Sequence, residues 1–556
     1  VAATLVLAGC SLARGQEELR EAWAALAGAR PGAGALGPAG ARAGAAERRD
    51  AEVTAPPAAS APGAPLAIAA ARRPRPARDG IDLGTADPGR WPEPSAEDVV
   101  DVAEPEAARA AEPAERAALD PARALAALAP QTFVLAAPRP GAERLGFLRI
   151  GAIVSRSAEP VGFQGCAQGW YAIEPEGYVC VGSSATLDLD HPLIEAARRR
   201  PDRDAPLPYR YALAASPTPV FYVKVPTVME QRAEEPGLER HLAADDAGAW
   251  RDVELGAVPA LLRDGRRSPT VRRLSYPGPT VSLGRARTKS GFALLEFFEA
   301  EGRRWAINAE LEVMALDRLR PVTASAFRGL PLDDDLTLPV AFVHGRTERL
   351  YGGDPARGLT AGRWLEFREA VPLTGREARS AGARFLETRR GEWVKDERLI
   401  QVPPLRRRPA WATEGRTWID VSILRQTLVA YEGTKPVYVT LVSTGIDGLG
   451  DPEKTKSTVR GQFLIHTKHV SVTMDGEEVG DEFDLRDVPW VQYFTAGYAL
   501  HAAYWHDGFG TPRSHGCINL SPIDAAWLFE WTDPPVPQRW HGALSLREGT
   551  LIHVHP

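Results

Sequence analysis

Residues 514–527 read Ser514-His515-Gly516-Cys517-Ile518-Asn519-Leu520-Ser521-Pro522-Ile523-Asp524-Ala525-Ala526-Trp527, and the fold around them turns on how the middle of this run is punctuated. Ser521 suits a helix N-cap, Pro522 the first helical position, and Asp524 the far corner of a capping box, so a helix starts here. Cys517 then lies on the loop leading from sheet to helix. The unpaired N–H groups at a helix start favour both a thiolate and a developing oxyanion. A free thiol titrates at about 8.5, so at neutral pH it needs such a setting or an imidazole partner to react well. Gly516 lets the backbone turn tightly and approach a substrate.

Two imidazoles are candidates for that partner. His515 is two residues away and shares a face with Cys517 if 514–517 is extended. His501, in "GYALHAAYWHDGFG", ends an apolar strand and could reach the thiol from across a sheet. Two other readings of the cysteine compete with nucleophilic work. His501, His506, His515 and Cys517 are chemically reasonable zinc ligands, although their spacing matches no zinc signature. Alternatively Cys517 is a small buried residue beside incidental histidines. His466, His469, His553 and His555 read as surface or strand-edge residues.

Working outward, "PPLRRRP" at 403–409 is a linker, after which Trp418-Ile419-Asp420-Val421-Ser422-Ile423 alternates strictly, the pattern of a half-buried strand. A second strand, "KPVYVTLVSTG", follows the turn Glu432-Gly433-Thr434, and Asp475-Gly476 is a hairpin signal. Residues 409–556 therefore form a mostly antiparallel β domain of ordinary size.

The remaining 408 residues divide by composition. The opening "VAATLVLAGCSLARG" has an apolar run too short to span a bilayer. Residues 1–10 look like the end of a secretory signal with a bacterial lipoprotein box, in which Cys10 becomes a lipidated anchor; Ser11 after it suits an outer-membrane destination. Residues 11–130 are rich in Ala, Pro, Gly, Arg and Glu, with little to bury, and read as a disordered tether. In 131–200 short apolar runs alternate with Gly and Pro, as in a small β module, and Cys166 and Cys180 bracket a hairpin-like stretch that reads as a disulfide in an exported protein. Gly169-Trp170-Tyr171 and Gly177-Tyr178-Val179 resemble bacterial Src-homology-3-like modules, which often bind cell-wall polymers. Residues 201–330 read as a mixed connecting region with a possible β module, and 331–408 as a further small β module. Strand-like contexts around Trp305 and Trp393 hint at a repeat. Net charge is −6, and no basic stripe interleaved with aromatics occurs, which argues against a nucleic-acid partner.

The sequence "HAAYWHDGFGTPRSHGCINLSPIDAAW" is similar to the signature of the L,D-transpeptidase catalytic domain, also called the YkuD domain: a histidine, a gap, then Ser/Thr-His-Gly-Cys, a hydrophobic residue and Asn or Arg. The resemblance covers about 410–556. It implies a β-sandwich with Cys517 as nucleophile, His501 as general base oriented by the carbonyl that follows it, and His515 in support. It also implies a catalytic loop shaped by Ser514, Gly516 and Asn519, with the N–H groups of Gly516 and Cys517 as oxyanion donors. No metal or organic cofactor is implied. The partners would be peptidoglycan stem peptides in a periplasmic cell envelope, with carbapenems as covalent inhibitors. Two positions depart from the family. The gap between His501 and Ser514 is a little short, and the family's Thr-Pro-x-Gly reads Thr458-Val459-Arg460-Gly461.

Overall fold

The structure is a computed structural model that describes residues 119–197, 199–244, 248–269, 280–407, 409–413, 415–476 and 482–556. Cys10 with its expected lipoprotein box, and the expected tether as far as residue 118, lie outside the described residues. The described chain is mainly β, with few and short helices.

The expected tether overreaches at its C-terminal end. Ala124–Ala127 is a fully buried strand, flanked by Ile153–Ser155 and Ala185–Thr186. Alanine-rich composition suggested a chain with nothing to bury, whereas here the small side chains let a strand lie at the centre of a core. Four more strands, Thr132–Leu135, Arg144–Leu148, Trp170–Ala172 and Tyr178–Cys180, complete this β unit. A disulfide joins Cys166 to Cys180, with Cα atoms 5.9 Å apart.

The possible β module within 201–330 is a full one over residues 210–321, and its topology recurs in 340–402. In the first copy the strand order is 282–285, 220–222, 313–315, 303–308, 290–300, 210–214, 319–321. The second copy, 358–364, 349–354, 393–395, 383–388, 370–380, 340–343, 399–402, repeats it. Ser290–Ala300 matches Ala370–Ser380, Arg303–Asn308 matches Ala383–Thr388, Val313–Ala315 matches Trp393–Lys395, and the 3-10 turn Leu316–Arg318 matches Asp396–Arg398, each pair 80 residues apart. The turn residues follow suit, since Glu301 and Ala381 both take positive φ ahead of a positive-φ glycine. The suspected repeat is therefore real, but its register differs from the tryptophan pattern: Trp305 corresponds to Phe385, and Trp393 to Val313. The copies differ most between their second and third strands. The first inserts the capped helix Val228–Glu234 and the helix Leu238–Ala244, where the second makes a short turn between Asp354 and Gly358.

The C-terminal domain is built from β1 (Thr417–Ser422), β2 (Thr427–Glu432), β3 (Lys435–Leu441), β4 (Gly461–Leu464), β5 (Thr467–Gly476), β6 (Phe483–Thr495), β7 (Tyr498–Ala502), β8 (Ile518–Leu520), α1 (Pro522–Trp531), β9 (Gly542–Leu544) and β10 (Leu551–His555). One sheet runs Leu330–Pro331, β3, β2, β1, β10, β4. In the other, β6 pairs with β5 and β7, β7 with β8, and β5 with β9. Ile419, Val421 and Leu428 from the first sheet pack with Val470, Trp490, Phe494 and Leu500 from the second, closing a sandwich. The second sheet does not stop at the domain border: β9 pairs with Arg144–Leu148, and β6 with Ser290–Ala300. Edges that would invite pairing with other chains are covered in this way by the chain itself.

Three local expectations are corrected. The alternation in β1 predicts one solvated face, but Asp420 and Ser422 are buried because β10 lays His553, His555 and Pro556 against them. Asp475 and Gly476 do not make the hairpin turn; they are paired with Asp484 and Phe483 inside it. His469 is no surface residue: it is buried between the rings of Phe147 and Tyr493, and burial pulls its pKa down to about 3; burial likewise lowers His466 to about 4.

Candidate active site

The helix read from the sequence is α1, with Ser521 Oγ accepting the Asp524 N–H. Asp524 does not complete a capping box. Its carboxylate is fully buried and takes the Gly329 N–H at 2.8 Å, the Tyr438 hydroxyl at 2.7 Å and the Thr440 hydroxyl, so it ties the helix start to the sheet and to the incoming linker. Burial holds its pKa above the ordinary carboxylate range.

The loop before α1 is fixed at each residue. Ser514 O accepts from Ile446 N–H, and Ser514 N–H donates to Thr444 O at 3.0 Å. The Ser514 hydroxyl donates to the Cys517 carbonyl at 2.5 Å and accepts the Gly516 N–H at 3.1 Å. The Gly516 N–H, expected as an oxyanion donor, thus donates to the Ser514 hydroxyl here. Gly516 itself has φ +129°, and a Cβ there would stand 2.8 Å from the Tyr498 ring. The Gly516 carbonyl accepts from Thr458 Oγ1 at 2.7 Å, and that oxygen also accepts the Gly445 N–H at 2.8 Å. Asn519 and Ser443 exchange two backbone hydrogen bonds, each 2.9 Å. Thr458, noticed in the sequence only as the start of a departing motif, is therefore a direct support of the cysteine loop. Neither it nor Ser443 carries a spacing signal that sequence reading could use.

Cys517 is buried, with Sγ 3.8 Å from the Gly497 carbonyl. The parallel pairing of β7 with β8 sets His501 beside Asn519 and Leu500 beside Ile518. Because alternate residues share a face, Cys517, two positions before Asn519, lies on the His501 side of the pair. His501 Nδ1 is 3.1 Å from the Ala502 carbonyl. A carbonyl can only accept, so Nδ1 carries the hydrogen and Nε2 is the bare nitrogen. Burial lowers the pKa of this imidazole to about 4, which the Ala502 bond partly opposes, and the ring is neutral at pH 7. His515 is placed differently: it is half-buried, with its ring 5.0 Å from that of Phe483. His506 Nδ1 lies 3.2 Å from the Gly508 nitrogen, and its Nε2 lies 3.0 Å from the amide nitrogen of Asn519. Burial, with Arg513 nearby, lowers His506 to about 4. His501, His506, His515 and Cys517 do not converge as a ligand set; among the described residues the ligand atoms that do converge belong to Asp420, His553 and His555.

The segment between His501 and Cys517 is braced from outside the domain. Phe327 stacks on Phe509 at 6.0 Å, and Arg368, from the second module copy, binds both carboxylate oxygens of Asp507 at 2.7 and 2.6 Å. The arrangement presents a thiol on a rigid loop, beside a strand that holds a neutral imidazole with one nitrogen free to take a proton.

Residues 416–554 match the family model described as the L,D-transpeptidase catalytic domain, YkuD. YciB of Bacillus subtilis (strain 168), whose name assigns it provisionally to the L,D-transpeptidases, is 27% identical over 125 residues, which cover 20% of this chain and 59% of that protein. L,D-transpeptidase 1 of Mycobacterium tuberculosis (strain H37Rv) is 35% identical over 91 residues, covering 15% of this chain and 35% of its own length. The chain thus spans less than two thirds of either relative. Among solved structures, an L,D-transpeptidase from Mycobacterium smegmatis aligns over 42% of this chain and all of its own, at 20% identity and a TM-score of 0.21. Over residues 416–554 this chain is therefore similar to the L,D-transpeptidase catalytic domains that the YkuD family model describes.

Proposed function

We propose that this protein is a peptidoglycan L,D-transpeptidase working by cysteine acyl transfer. The reading is carried by one observation, the loop that sets Cys517 on the His501 side of the β7–β8 pair while the Ala502 carbonyl fixes the His501 tautomer. In the proposed reaction His501 Nε2 takes the Cys517 proton and the sulfur attacks the carbonyl of the L-centre of a diamino acid in a stem tetrapeptide. The bond to the terminal D-alanine breaks, and the imidazolium returns its proton to the leaving amine. The acyl group stays on sulfur as a thioester. An amine from a second stem then attacks, loses its proton to His501, and releases the thiolate with a new amide bond formed. His515 is a positioning residue in this scheme, and Ser514, Gly516 and Asn519 shape the loop.

The rest of the chain fits a delivery role. Lipidation at Cys10 and the tether would hold the enzyme in the periplasm, at the outer membrane. The repeated β modules, with a 3-10 turn before their last strand, fit Src-homology-3-like units that hold wall polymers, and carbapenems would acylate Cys517. Incubating the protein with disaccharide-tetrapeptide and weighing the products tests the reading. A crosslinked dimer lost in Cys517→Ala is the expected result. Tripeptide with no dimer would instead make the enzyme a carboxypeptidase that hands the thioester to water. A carbapenem-inert protein that still pellets with sacculi would make it a wall-binding scaffold.

A further inference from the structure

On the face of the six-stranded sheet opposite the core, three side chains converge that the acyl-transfer chemistry does not use. β1 and β10 run parallel with Asp420 beside His553 and Ser422 beside His555. Ile419, Val421, Ile552 and Val554 point into the sandwich, so the intervening residues share the other face. There Asp420 Oδ1 is 3.0 Å from His553 Nδ1, Asp420 Oδ2 is 3.0 Å from His555 Nε2, and the two imidazole rings stack 5.0 Å apart. All three ligand atoms lie within 4.8 Å of one another.

We propose that Asp420, His553 and His555 bind a divalent transition-metal ion of the zinc class. Two imidazoles and a carboxylate are the donor types such ions select, and alkaline-earth ions, which prefer all-oxygen sets, fit them poorly. Around a tetrahedral zinc, with bonds of about 2.0–2.2 Å, neighbouring donors stand roughly 3.3–3.6 Å apart. The two nitrogen–oxygen separations, each 3.0 Å, are shorter than that by about 0.3–0.6 Å, so the side chains would part slightly to admit an ion.

A second observation bears on the tautomer. His555 Nδ1 lies 2.9 Å from the Pro556 carbonyl. A carbonyl only accepts, so Nδ1 holds a hydrogen; Nε2 donates a second one to Asp420 when no ion is bound, and a metal ion would take the place of that second hydrogen. Metal-binding histidines are held in this manner, with the far nitrogen donating to a carbonyl or carboxylate. Asp420 is 6% exposed, so its orientation is fixed by the fold, while His553 and His555 keep 28% and 25% of their side-chain surface. An ion has a path in, and its remaining positions face solvent. Bound there, it would fasten β10, the last strand, to β1, the first of the domain.

The test uses the full chain after chelator treatment and dialysis. Adding Zn²⁺ should raise the thermal midpoint and saturate at one ion per chain, and Co²⁺ should give a visible absorption band. Asp420→Asn and His553→Ala/His555→Ala should weaken Zn²⁺ binding at least tenfold, whereas Cys517→Ser should leave both the affinity and the Co²⁺ band unchanged. Should a β10 variant fail to fold, the Co²⁺ spectrum of the unmutated chain against Cys517→Ser still decides the matter. The proposal is overturned by no saturable binding, by Asp420→Asn binding Zn²⁺ as tightly as the parent, or by loss of the Co²⁺ band in Cys517→Ser, which would move the ion to the thiol.

Discussion

At the scale of single residues, the structure sets apart the two histidines that the family resemblance reads as base and support. His501 is sealed in, tautomerically fixed and neutral, while His515 packs on Phe483 at the edge of the loop. His501→Ala should therefore abolish acylation of Cys517 by a carbapenem at pH 7, and His515→Ala should slow it without abolishing it; equal residual acylation in His501→Ala and the parent would refute that order. The pH profile adds a sign. A base whose pKa is lowered to about 4 stays unprotonated down to that pH, so the acid limb of acylation should fall well below the ordinary histidine value of about 6.5. Cys517, Gly516 and Ser521 were legible because small, sulfur-bearing and capping residues carry chemistry in their identity. Thr458 was not, because its role comes from two hydrogen bonds to segments distant in sequence.

Among the elements, α1 depends on a buried cation. Lys468 on β5 is fully buried and donates to the carbonyls of Phe529 and Thr532, at 2.5 and 2.8 Å, where the last turn of α1 leaves acceptors unpaired. A positive charge is favoured at a helix C-terminus, yet burial pulls this ammonium down to about 7. Lys468→Met should lower unfolding free energy by about 2–4 kcal/mol in denaturant melts, because both carbonyls lose their donor inside the core. Helix α1 and the strands β1 and β3 were plain in the sequence, from capping residues, alternation and a flanking turn. The module at 210–321 was legible only as a possible one, because the insertion after its second strand in chain order puts its first two strands out of the 80-residue spacing that the strands from Ser290 on keep with its twin. The twin itself shows how weak a tryptophan is as a register mark: it can occupy different strands of the same barrel-like unit, provided the core around it repacks.

For the molecule as a whole, buried histidines set the response to acid. His466, His501 and His506 sit at about 4, His469 at about 3, and His541 well below its ordinary value, all chiefly through burial. A histidine lowered in the folded state contributes stability that is complete above the unfolded value of about 6.5 and is lost as pH falls toward the folded value. Glu310, raised to about 7 mainly by burial, opposes this over the same window, as do Glu348, Asp524 and Asp533, which burial also raises. The five histidines outnumber these four carboxyls, so the thermal midpoint should drop between pH 6.5 and 4 with a net uptake of protons on unfolding. A flat midpoint over that window would refute the balance. The continuous sheet has a further consequence for biogenesis. Arg149, beside the strand that pairs with β9, meets His541 across a sequence separation of 392 residues. The β unit at 124–186 therefore keeps an open edge until residues 542–544 arrive, and long-range closure of this kind is slow. Until then the chain offers an unpaired strand to its neighbours, so a holding chaperone along the route would matter more for this protein than for one whose domains close in the order they are made.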